Sequence, residues 1–71
     1  MLKRLRDLRE DNDLKQKDIA GILNITVQQY QLYESGKRNL PVYHLKAICE
    51  YYNVSADYIL GFTDKIIPIN R

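Results

Sequence analysis

Apolar residues recur along this chain at three- and four-residue spacing, separated by short polar breaks. In "MLKRLRDLRE" Leu2, Leu5 and Leu8, with Arg9, fall on one side at helical spacing, and Lys3, Arg4, Arg6, Asp7 and Glu10 fall on the other. This predicts a first helix ending near Asn12 and Asp13. "QKDIAGIL" sets Ile19, Ala20 and Leu23 on one face of a short second helix, with Asn24 as its stop because Asn tolerates a left-handed backbone. Thr26 opens a third helix, and Gln29 completes a T-x-x-Q capping box. At about 100° per residue, Tyr30, Tyr33 and Glu34 share one face of helix 27–34. Gln28, Gln31 and Leu32 then occupy the opposite face, Val27 is exposed at the tip, and Gly36 stops the helix.

Pro41 suits the first turn of a fourth helix, in which Val42, Leu45, Ile48, Cys49 and Tyr52 form the apolar stripe. Ser55 caps a brief fifth helix with Asp57 in its first turn and Gly61 beyond its end. The remainder, from residue 62 to residue 71, reads as a tail. Nothing alternates at period two for long enough to predict a strand except "KIIPI", where Pro68 argues for an edge. The expected class is therefore all-α. Two short helices joined by about three residues, spanning 16–35, form a helix-turn-helix unit, which presents its second helix to a groove.

Length and composition narrow the functional classes. At 71 residues there is room for one small domain, which buries only about 60% of its unfolded surface, so a deep enzymatic cleft is not expected. Eleven Lys and Arg against nine Asp and Glu leave a net charge of +2, too weak to argue for a nucleic-acid partner except through placement. The single Cys49 makes no internal disulfide, and no apolar run approaches a membrane span or signal peptide, so a reducing cytoplasm is the default.

The exposed side of the third helix is short, polar and uncharged, where an ordinary surface helix carries Lys and Glu. A Gln carboxamide pairs bidentately with adenine in the major groove, and Val27 and Leu32 offer apolar contact to thymine methyls. Lys37 and Arg38, after Gly36, lie where a docked helix meets the phosphates. Gln16 and Lys17 open the second helix, whose first-turn NH groups favour an anion, and Lys15 reaches a phosphate from the cap position.

Each feature also has an ordinary reading. Gln is a good helix former and is commonly just a solvated face. Lys37 and Arg38 alone suit a solvated loop, and an exposed Val and Leu more often mark a protein contact than a base contact. The tyrosines of "YQLYE" and "EYYN" are most simply packing. His44 and Cys49 are five apart on one helix, off a metal-ligating face, so His44 reads as surface and Cys49 as core. Asp11 and Asp13 lie beside loops without a pocket. No catalytic motif, metal site or cofactor motif emerges.

The segments "LRDLRED", "LKQKDIAGILNIT", "YESGKR" and "NVSADYILGFTD" together resemble the lambda-repressor and Cro type of helix-turn-helix domain, the XRE family, from about Leu5 to Gly61. The last segment is similar to the domain end in small phage-like regulators of Gram-positive bacteria. The resemblance implies a compact five-helix bundle over residues 1–61 and a tail over 62–71 as a possible dimer contact. It implies that Val27, Gln28 and Leu32 read bases, flanked by Gln29 and Gln31. It also implies that Gln16 touches a phosphate and braces the third helix, and that Ser35, Lys37 and Arg38, with Thr26 at the helix mouth, face the backbone. Arg9 and Glu34 match a family ion pair between the first helix and the end of the third. The sequence departs from the family at Lys15, where Thr or Ser usually caps, and at Gly21, where a helix former is usual. Asp13 and Asn24 stand at positions where glycine is frequent.

The expected function is sequence-specific binding of double-stranded DNA by a transcriptional repressor, acting as a homodimer on a palindromic operator. Ile66, Ile67 and Ile69, or the surface around Tyr58, are the expected glue. The rival expectation is a protein-interaction module of antitoxin or anti-repressor type that holds a protein partner with Val27, Leu32 and the tail.

Overall fold

Five helix starts and five helix stops in the sequence become five helices in the computed structural model, which describes residues 2–66. These are α1 (Lys3–Asp11), α2 (Gln16–Leu23), α3 (Val27–Ser35), α4 (Val42–Tyr52) and α5 (Ala56–Leu60), with no strand among the described residues. The fold is all-α, as the apolar spacing predicts. Ile67, Pro68 and Ile69 lie outside the described residues.

The helices end by a common device. Asp13, Asn24, Gly36, Asn53 and Gly61, one just past each helix, all have positive φ. The left-handed residue turns the chain so that following NH groups reach back to the last carbonyls. After α1, Leu14 N donates to Arg9 O at 2.9 Å. After α2, Ile25 N donates to Ala20 O at 3.0 Å, and after α4, Val54 N donates to Cys49 O at 3.1 Å. Two of these positions are glycine, which adopts the conformation without strain, and the others are Asp or Asn, the residues that tolerate it best.

The core is drawn from every helix: Leu5 and Leu8 of α1, Ile19, Ala20 and Leu23 of α2, Tyr30 of α3, Ile48 and Cys49 of α4, and Tyr58 and Ile59 of α5, with Val54 between the last two helices. Cys49 is buried, as expected. Ile48 and Cys49 of the α4 stripe lie in the core and Leu45 and Tyr52 pack against it, but two positions in the first turn depart from the expectation. Val42 is 79% exposed, whereas His44, expected at the surface, is only 9% exposed. The reason is aromatic packing, since the His44 ring stands 5.8 Å from Tyr33 and 4.5 Å from Tyr43, centroid to centroid. His44 thereby ties the end of α3 to α4.

Arg4 departs from the pattern in the same way. Its guanidinium lies 4.3 Å above the Tyr58 ring and donates to Thr63 O at 3.2 Å and to Asp64 Oδ1 at 2.7 Å. A residue from the polar side of α1 thus clamps the chain leaving α5 and covers Tyr58, which is buried rather than available as an outer surface.

Gly21 lies inside α2, and a Cβ built there meets nothing within 4 Å. Gly21→Ala is therefore expected to stabilise the protein by up to about 1 kcal/mol. Thermal unfolding checks this: the midpoint should rise by roughly 4–8 °C per kcal/mol, and an unchanged or lower midpoint would show that the space is not free.

Candidate nucleic-acid interface

The outward face of α3 is defined by what holds the inward one. Tyr30, Tyr33 and Glu34 are buried, and the Thr26–Gln29 capping box forms as the spacing predicts. Gln29 N donates to Thr26 Oγ1 at 3.1 Å, and Thr26 N donates to Gln29 Oε1 at 3.4 Å. Gln28, Gln31 and Ser35 are exposed and Leu32 is half-buried. Val27, expected at an exposed tip, is instead half-buried and packed against the core. The physical reason is its angle on the helix, only about 20° from Glu34 and so at the margin of the buried face.

Three of the helix residues with a functional expectation are engaged within the chain. Gln29 serves the cap. The Ser35 hydroxyl donates to Leu32 O at 3.2 Å, and Gln31 Nε2 donates to Gln16 Oε1 at 3.0 Å. The Gln28 side chain has no hydrogen-bond partner among the described residues and stands at the middle of the outward face.

Beneath this face lies a buried ion pair. Arg9 Nε donates to Glu34 Oε2 at 3.0 Å and Arg9 Nη2 to Glu34 Oε1 at 2.9 Å, a two-pronged contact between side chains only 14% and 7% exposed. Arg9 Nη1 also donates to Leu14 O at 3.1 Å, and Gln16 Nε2 donates to Glu34 Oε1 at 3.3 Å. Glu34 thus joins α1, the start of α2 and the end of α3, the bracing expected of Gln16. Burial by itself pushes the Glu34 carboxyl up, but hydrogen bonds from Arg9, Tyr30 and Gln16 outweigh it and hold the group below its ordinary value of 4.5. Nearby, the Tyr52 hydroxyl is buried without a hydrogen-bond partner among the described residues, and burial pushes it up to about 12.

The rim carries the cations. Lys15 and Lys17 at the start of α2, and Lys37 and Arg38 after Gly36, are all exposed. Lys15 does not cap through its side chain; its backbone NH donates to Asp18 Oδ2 at 2.8 Å, so an acidic residue supplies the cap from inside the helix. The connection from Asn24 to Thr26 sets α2 and α3 against each other as two arms of one unit. Among the described residues no group of His, Cys, Asp or Glu is placed to hold a metal ion, and no helix is long and apolar enough to cross a membrane.

The family model described as Helix-turn-helix matches residues 5–59. The chain belongs to this family. The helix-turn-helix domain is also 37% identical, over 65 residues, to an uncharacterized HTH-type transcriptional regulator, YobD, of Bacillus subtilis (strain 168), covering 92% of this chain and 58% of that protein. The domain therefore spans somewhat more than half the length of the curated relative it matches. No solved structure matches it. The match takes in all of α1 to α4 except the first two residues of α1, and nearly all of α5, and it covers the ion pair and the outward face of α3. The clamp made by Arg4 on Thr63 and Asp64 lies outside it. That clamp was invisible in the sequence, since nothing in the helical spacing distinguishes Arg4 from Lys3 or Arg6.

Truncating either partner of the pair, Arg9→Ala or Glu34→Ala, is expected to cost about 3–5 kcal/mol because the other charge is left buried without its counter-charge. Since the carboxyl titrates lower when folded than when unfolded, its contribution is complete above about pH 5 and is lost as pH falls through the folded-state value. Urea denaturation between pH 7 and pH 3 checks both statements: the wild type should lose stability below pH 5 and Glu34→Gln should lose less.

Proposed function

We propose that this domain binds double-stranded DNA in a sequence-specific way as part of a transcriptional regulator, acting as a repressor in the cytoplasm. The observation that carries the reading is the division of α3. Its inner face is locked by Tyr30, Tyr33 and the Glu34 ion pair, and its outer face offers Gln28 and Leu32, with exposed cations at the start of α2 and just after α3. A helix so held protrudes as a rigid ridge that fits the major groove. The Bacillus relative is named as a transcriptional regulator, which agrees with this reading.

On DNA, Gln28 takes the central reading position and pairs with an adenine edge, while Leu32 meets a thymine methyl. Val27 contributes only the part of its side chain left outside the core. Lys37 and Arg38 after α3, and Lys15 and Lys17 at the start of α2, neutralise phosphates, with Thr26 and Ser35 at the helix mouth and end. One domain makes few contacts, so two copies on a palindromic operator, half-sites about 34 Å apart, supply the affinity. Phe62 and Ile66, both exposed just beyond α5, are the apolar side chains for that pairing. The exposed large apolar side chains lie on α2, α4, α5 and beyond α5, not on α3, which favours DNA over a protein partner for the third helix.

Selection of bound sequences from random duplex DNA at two salt concentrations tests the reading. An enriched palindrome with salt-dependent affinity is expected; retention without enrichment overturns sequence specificity. Gln28→Ala should lose about 1–3 kcal/mol on the selected site and relax its preference, while Lys37→Ala should weaken all sequences alike and lower the salt slope by about 1. Sedimentation as a monomer on the selected site would overturn the homodimer.

A further inference from the structure

The contacts around Glu34 have a direction. A carboxylate only accepts hydrogen bonds, so the Gln16 carboxamide must turn its NH2 towards Glu34 and its oxygen away. That oxygen faces Gln31, which must in turn present its NH2 to Gln16. Arg9 fixes the carboxylate, the carboxylate fixes Gln16, and Gln16 fixes Gln31, through contacts of 2.9, 3.3 and 3.0 Å. Each carboxamide nitrogen then retains one NH beyond those used in the chain of contacts. Both carboxamides line an open cleft of about 500 Å³, bordered by Ser35 on its α3 side and, on its α1 side, by Arg6, which is paired with Glu10 at 3.2 Å.

The position of Gln31 decides what those NH groups meet. On α3 it lies about 60° round from Gln28 and about 100° from Leu32, on the flank towards the start of α2 rather than at the centre of the outward face. Resting on the DNA-binding reading above, we propose that Arg9, Glu34, Gln16 and Gln31 form one oriented hydrogen-bond chain that makes Gln31, beside Gln16, a donor to a DNA phosphate and not a reader of bases. Gln31 is then a positioning residue: it fixes the register of α3 on the duplex while Gln28 reads it.

The test has two arms, both on the full chain. In the free protein labelled with 15N, the side-chain amide resonances of Gln31 should move in Gln16→Ala and in the double variant Arg9→Met/Glu34→Leu, which removes the ion pair as a unit and so preserves the fold better than either half. Resonances that stay in place in both variants overturn the chain of orientation. On DNA, Gln31→Ala should weaken binding to the selected operator and to a scrambled duplex by the same factor, roughly tenfold, leaving their ratio unchanged. In the double-variant background the same substitution should cost nothing further. A fall in the operator-to-scrambled ratio makes Gln31 a base reader and overturns the proposal, as does unchanged affinity. Wild-type protein that binds neither duplex overturns the DNA reading and with it the phosphate role, whereas selective wild-type binding unaffected by Gln31→Ala overturns the proposal alone.

Discussion

Much of this small structure turns on one carboxylate that is largely withdrawn from water. Glu34 is stable as an anion only because Arg9 meets it with two hydrogen bonds, and Gln16 and Tyr30 supply others. These partners come from three helices, so satisfying one charge fixes the relative placement of α1, α2 and α3. Tyr30 joins this polar cluster to the core, since its ring is fully buried among the aliphatic side chains while its hydroxyl reaches Glu34. A core of some dozen side chains has little surplus stability with which to tolerate alternatives, and a charge that is satisfied in only one arrangement is an effective way to select it.

Satisfying backbone groups does comparable work at the helix ends. Short helices leave a large share of their NH and carbonyl groups unpaired, and here most residues lie within a turn of an end. The positive-φ residues after each helix and the side-chain caps at Thr26 and Ser55 meet that need locally. The helices are thus set by their own sequence, and the core needs only to bring them together.

That locality explains what the sequence made legible. The starts, stops and number of helices, the burial of Tyr30, Tyr33 and Cys49, and the Thr26–Gln29 box depend on residues within a few positions of each other, and spacing reveals them. Contacts between distant parts did not show. His44 is buried because Tyr33 comes from another helix to cover it, and Arg4 lies over Tyr58 because the chain returns after α5. Val27 was misjudged because it lies only about 20° from Glu34, a difference that matters at the edge of a face and not at its centre. The pairing of Arg9 with Glu34 followed from family resemblance; periodicity alone placed both on inner faces without joining them. For the candidate interface, spacing gave the ridge and its cations but not which glutamines are held by other parts of the protein.

Of the three glutamines on α3, Gln29 is committed to the cap and Gln31 to Gln16, while Gln28 has no such internal tie among the described residues. Fold and recognition are therefore written in separate letters of the same nine-residue helix. A change at position 28 touches no cap, no ion pair and little of the core, so variation there is nearly free of structural penalty. On the DNA-binding reading, gene duplication followed by drift at this position would give daughters with the same scaffold and diverging targets. Drift at position 29 or 34 would be removed first by misfolding.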